Sequence, residues 1–180
     1  MVVDWLAGWL DVPREHVVAP LFIFMSAILG GSVAVWGVLS NRRIARMKNS
    51  MDFLNSTDQN EEIWLAIREI NEFHRNNDEH KVECLAHEDR KNDDHAKHLR
   101  RVLNYYEAMA ACINHRIYDD LILREMLFTT VTELWDQSLP YVRKRRFLTK
   151  TSTYFQELEG LVTRWKAKGL NKKGPKTNTH

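Results

Sequence analysis

Two groups of side chains have types and spacings that could do chemistry. In RNNDEH, residues 75–80, Arg75 stands five positions before His80, and the polar Asn76 follows the arginine. An imidazole can act as general acid or base on an RNA phosphodiester, and a guanidinium can stabilise the charge that builds on the phosphorane. Similar pairs recur as Arg90 with His95 and Arg68 with His74. With 15 arginines and 8 histidines among 180 residues, about two such matches over three spacings arise by chance. Arg75 and His80 are therefore candidates only. The second group is His80, Cys84, His87, His95 and His98. On one continuous helix these fall within about 80° of one another, and a His, Cys, His set at steps of four and three could hold a transition metal. Lys91 shares that face, and Asn92-Asp93 favours a break, so the segment reads as a solvated face with no metal. Phosphate-cradling glycine loops, nucleophile elbows and zinc-type cysteine pairs are missing from the sequence. No cofactor is implied.

The elements that would position these residues are helices. Charged residues make up 28%, while glycine (7) and proline (4) are scarce, and no alternating apolar run is long enough for a sheet. The periodicity predicts a helix over 58–75, begun at Thr57 and carrying Ile63, Trp64, Ile67, Ile70 and Phe73. Residues 79–98 are helix-compatible but poorly apolar. A helix over about 95–115 carries Leu99, Val102, Leu103, Tyr106, Met109, Ala110 and Ile113. Asp119 or Asp120 opens another, with Leu121, Ile122, Met126, Leu127, Val131, Leu134 and Trp135 as its apolar residues. Pro140 is expected to end that helix and start a short one, Tyr141–Leu148. Thr151-Ser152-Thr153 is expected to cap a last helix, 153–168, stopped at Gly169. Cys84 and Cys112 are both expected on the cytoplasmic side, where a structural disulfide is disfavoured.

Near the front, Val17 to Leu39 is 23 residues without a formal charge. At about 1.5 Å per residue they reach roughly 35 Å, enough to cross a hydrocarbon core of about 30 Å. Apolar side chains point in every direction, and the acidic start does not suit a cleaved export signal. Residues 1–15 hold Arg14 against Asp4, Asp11 and Glu15, whereas Arg42, Arg43, Arg46 and Lys48 follow the apolar run. Basic flanks stay in the cytoplasm, which places the N-terminus outside and the rest inside. The chain thus divides into a short outer interfacial segment, 1–15, with Trp5 and Trp9 at headgroup level; a transmembrane helix, 16–40; a basic juxtamembrane helix and linker, 41–56, helical to about Leu54; a helical cytoplasmic domain, 57–168; and a disordered basic tail, 169–180. The fold class expected is all-α: one N-terminal transmembrane helix followed by a bundle of four to five largely antiparallel helices.

Three surfaces remain as binding candidates. Ser26, Gly30 and Ala34, at steps of four, could let two spans approach closely, or could simply face lipid. Charge is segregated: residues 52–136 hold 19 acidic and 10 basic side chains, residues 137–180 hold 2 and 11. Either the basic end packs across the acidic middle, or Arg143, Lys144, Arg145 and Arg146 contact lipid headgroups or an acidic partner. Asn104, Glu107, Ala108 and Ala111 share the face opposite the core stripe, as a partner face or a second packing face within the chain.

The NYYE of residues 104–107, the small-residue helix after it, and the later TELWDQSLPYVRKRRF and TYFQELEGLVTRW resemble an uncharacterised family of bacterial and phage proteins. The resemblance covers about residues 15–168. It implies an N-terminal membrane helix joined to a helical domain of unknown function, and it supplies no catalytic residue. The expectation is a protein of the bacterial inner membrane that binds as a scaffold or sensor, in phage defence or superinfection exclusion. Its partners would be membrane lipid and a protein, or a second copy, rather than nucleic acid. A membrane-tethered RNase using Arg75 and His80 and a membrane-disrupting effector are the alternatives.

Overall fold

A computed structural model describes residues 14–76 and 79–170 of the chain. The outer segment with Trp5 and Trp9, residues 77 and 78, and the tail from 171 lie outside the described residues. Among those described there are six α-helices and no strands. They are α1 (Arg14–Asp58), α2 (Glu61–Asn76), α3 (Glu79–Cys84), α4 (Asp94–Asn114), α5 (Asp120–Thr149) and α6 (Gln156–Lys168), with a 3₁₀ turn at Glu88–Arg90. The chain is all-α, and contacts divide it into two units, residues 1–45 and 46–180.

The first unit is the forward part of α1. Its helix runs through Pro20 without a break. Ser26 Oγ donates to the carbonyl of Ile23 and Ser32 Oγ to that of Ile28, each at 2.8 Å. Both hydroxyls are thus satisfied inside the helix, which a hydrocarbon environment requires.

The second unit is a bundle. The end of α1, expected to stop near Leu54, continues to Asp58 because it has a packing partner there. Phe53 stacks on Tyr105 with ring centroids 5.2 Å apart and tilts against Tyr118 at 5.3 Å. Thr57 caps nothing. Its hydroxyl donates to the carbonyl of Phe53 and shares a 2.5 Å hydrogen bond with the Tyr105 hydroxyl. The cap of α2 is Asn60 instead, whose Oδ1 accepts from the Ile63 N–H. Helices α2 and α4 run antiparallel, since Glu62 meets Arg101, Glu69 meets His98, and Phe73 meets His95. Helix α5 is capped by Asp119, which accepts from the N–H of Leu121 and Ile122.

Pro140 does not end α5, which is continuous to Thr149. Proline removes one N–H from the ladder, but Ser138, Tyr141 and Val142 on either side are buried, and their burial holds the turn in place. Helix α6 starts at Gln156, three residues later than expected. Phe155, at its N-cap, is left-handed (φ 56°) and offers no side-chain cap. Helix α6 runs antiparallel to α5, pairing Trp165 and Lys168 with Asp120 and Glu159 with Arg146. It runs parallel to α4, because Glu107 meets residues 157 and 158 while Asn114 meets Arg164. The core joins all of these helices around Tyr106, Tyr141, Leu103, Leu123, Leu161 and Trp165, each at most 1% exposed.

Candidate functional site

Among the described residues, the apolar stretch of α1 has no partner in its own unit. Phe22, Ile23, Leu29, Val33 and Trp36 are all exposed, and the helix is long and apolar enough to cross a membrane. A β-carbon added at Gly30 or Gly31 would meet nothing within 4 Å. The shallow groove on this helix is lined by Ala27, Ile28, Gly31, Ser32, Val35 and Trp36. It lies on the Ala27–Gly31 side, next to the Ser26, Gly30, Ala34 stripe singled out by spacing. Arg42, Arg43 and Lys48 are exposed and Arg46 is half-buried.

The catalytic candidates are placed differently. Arg75 is exposed at the end of α2, and the side chain of His80 lies outside the described residues. The continuous helix that would align the histidines and Cys84 does not form. Helix α3 stops at Cys84, and residues 85–93 turn through a short 3₁₀ segment before Asp93 caps α4. His95 packs its ring on Phe73, 4.7 Å between centroids, and His98 Nδ1 lies 2.7 Å from Glu69 Oε2. Both serve the α2–α4 contact. No group of three or more His, Cys, Asp or Glu able to hold a metal occurs among the described residues. Cys84 and Cys112 form no disulfide.

The basic cluster on α5 is largely engaged inside the chain. Lys144 pairs with Glu83 at 2.8 Å. Arg145 donates to the carbonyl of Ala86 and to Glu88. Arg146 pairs with Glu159 at 2.8 Å and donates to the carbonyl of Tyr154. Lys166 with Asp136 and Lys168 with Asp120 repeat the pattern. Most of these pairs join the basic end to the acidic middle, which accounts for the charge segregation. Of the four cluster residues, Arg143 has no ion pair among the described residues. It is exposed beside Phe147, which is 77% exposed. Hydrogen bonds from Lys91 and then Arg145 hold the Glu88 carboxyl below the ordinary carboxylate range. That link is therefore present at neutral pH and is lost as pH falls through the lowered value.

The NYYE segment proves to be a clasp. Asn104 is exposed, Tyr105 reaches Thr57 on α1, and Tyr106 is fully buried. Glu107 Oε1 accepts from the Glu157 N–H at 3.2 Å, and Oε2 accepts from the Leu158 N–H at 2.7 Å. A carboxylate from α4 thus caps α6, where the helix dipole favours negative charge. Asn114 adds bonds to Glu157 and Arg164. At Glu107, then, the face proposed for an outside partner is a packing face for α6. Ala111 is half-buried, and Asn104 and Ala108 stay exposed. Spacing alone showed that these residues share a side. The capping role could have been suspected only from the weakness of the Thr151–Thr153 cap.

Two stability predictions arise here. Glu107→Ala should cost about 1–2 kcal/mol, and Glu107→Gln, which keeps an acceptor, should cost less than half as much. Thermal unfolding of the detergent-solubilised chain reads both, and an alanine variant as stable as wild type refutes the cap. Tyr106 carries a buried hydroxyl with no hydrogen-bond partner among the described residues, and burial pushes its pKa up. Tyr106→Phe removes an unsatisfied group, so stability should be unchanged or rise by about 1 kcal/mol. A clear loss would mean that the hydroxyl has a partner in solution.

Neither curated proteins nor solved structures give a match to this chain. The family described as "Domain of unknown function (DUF4760)" matches residues 24–165, a stretch that begins inside the apolar helix and ends at Trp165. The chain belongs to that family, whose match takes in most of the apolar helix and nearly all of the clasped bundle.

Proposed function

We propose that this is a single-pass protein of the bacterial inner membrane, with its N-terminus outside and its helical domain on the cytoplasmic face, working by binding rather than catalysis. The observation that carries the reading is the membrane-length helix whose apolar side chains are exposed among the described residues. Support for the orientation comes from Arg42, Arg43, Arg46 and Lys48 after the span against Asp4, Asp11 and Glu15 before it. Tethering confines the domain beside the bilayer and raises its local concentration for anything else held there. Such an arrangement suits a scaffold or sensor, and the bacterial and phage character of the resemblance fits phage defence or superinfection exclusion. The test is crosslinking of the full chain in cells, with identification of what the domain touches, alongside protease access from each side of the membrane. Digestion of the domain from outside intact cells would overturn the orientation.

A further inference from the structure

The turn between α4 and α5 carries an unusual pair. Helix α4 closes with the Ile117 N–H bonded to the carbonyl of Cys112 at 2.9 Å and the Arg116 N–H bonded to that of Ile113 at 3.0 Å. In this helix-ending motif the left-handed position normally takes glycine, because a β-carbon there is strained. Here it is Arg116, with φ 58°. The residue after it normally folds its apolar side chain back onto the helix. Ile117 instead stands 46% exposed. Helix α5 ends in the same way at Lys150, but there the following residue is the polar Thr151. A cation near a helix C-terminus is ordinarily favourable, so the charge of Arg116 needs no special cause. An outward isoleucine does.

This turn is tied to the part of α1 that follows the span. Asn49 Nδ2 donates to the carbonyl of Ile117 at 3.4 Å, and the Asp119 N–H donates to Ser50 Oγ at 2.7 Å. Around these bonds Met47, Met51, Ile117 and Leu121 are each between 42% and 48% exposed. Lys48 and Arg116 are exposed and have no ion pair among the described residues. The neighbouring acids are mostly occupied: Asp119 caps α5, and Asp120 accepts from the Trp165 indole and pairs with Lys168. Asp52 is the exposed exception. Lys48 lies nine positions after Leu39, the last residue of the uncharged run. That is about 13 Å of helix, and at most about 30 Å of extended chain. The patch therefore cannot lie far from the bilayer.

We propose that the α4–α5 corner, with Arg116 and Ile117 at its tip and Lys48, Met47, Met51 and Leu121 around it, is a docking surface for anionic lipid headgroups. Basic side chains meet the headgroup charge while the aliphatic ones enter the boundary layer. This deepens the membrane-anchored reading and rests on it.

The test uses the full chain with Cys84→Ser and Cys112→Ser, carrying an NBD fluorophore at His115→Cys or, separately, at Val35→Cys. Each is placed in nanodiscs of phosphatidylcholine alone or mixed with phosphatidylglycerol, with a quencher on the acyl chains near the headgroups. The label at 115 should be quenched in the anionic discs and far less in the neutral ones. Arg116→Glu with Ile117→Ser should lower the docked-to-undocked ratio about tenfold or more, and high salt should act in the same direction. Hydrogen exchange over residues 115–121 of the unlabelled wild type in the same discs gives the same reading without substitutions. Quenching at 35 without quenching at 115 overturns the docking surface alone. Equal protection in anionic discs, neutral discs and detergent also overturns it, in favour of a protein contact. Absence of quenching at 35 overturns the anchor and the docking surface together.

Discussion

Trp165→Ala is expected to cost about 3–5 kcal/mol of unfolding free energy, enough to leave the helical domain marginal. Trp165 is fully buried near the end of α6, and its indole N–H donates to Asp120 at 2.7 Å. Truncation opens a cavity between α5 and α6 and leaves the Asp120 carboxylate with Lys168 alone, at 3.5 Å. The melting temperature of the detergent-solubilised chain should fall by about 10 °C or more. Trp165→Phe, which keeps most of the volume but not the hydrogen bond, should fall well short of that. If the alanine variant melts with wild type, α6 is not part of the cooperative core, and the clasp built on Glu107 loses its meaning as well.

The second large effect belongs to the other unit. Leu29→Arg together with Val33→Arg places two charges near the middle of the apolar stretch, where each costs about 2.5–3.5 kcal/mol in a membrane helix. Both side chains are exposed in the structure, at 65% and 67%. In water, therefore, the exchange would harm no packing. The double variant should leave the carbonate-resistant membrane fraction while the domain keeps its helical signal. If it partitions with wild type, lipid does not surround this helix. If wild type itself is extracted by carbonate, the anchored reading fails without help from any variant.

These two expectations rest on different kinds of information. The long apolar helix could be read from the chain itself, because length and polarity are properties that run residue by residue along one helix. Segment type was equally legible across the domain. The stripes through Ile63 to Ile70 and through Leu99 to Ile113 lie on buried faces, because a helix of period 3.6 must put them on one side. What local reading could not supply was every feature settled by a neighbour distant in sequence. Pro140 signals a stop, yet burial of Ser138, Tyr141 and Val142 carries α5 through it. Thr57 has the chemistry of a cap, yet Phe53 and Tyr105 claim it. The cap of α6 comes from Glu107, about fifty residues earlier. The cluster Arg143 to Arg146 stood out as a surface, but Glu83, Glu88 and Glu159 neutralise three of its four members. By itself the sequence determined that one greasy helix precedes a set of amphipathic ones. Tertiary structure alone decided which charges, caps and hydroxyls are already engaged, because a hydrogen bond between residues fifty apart leaves no period in the sequence.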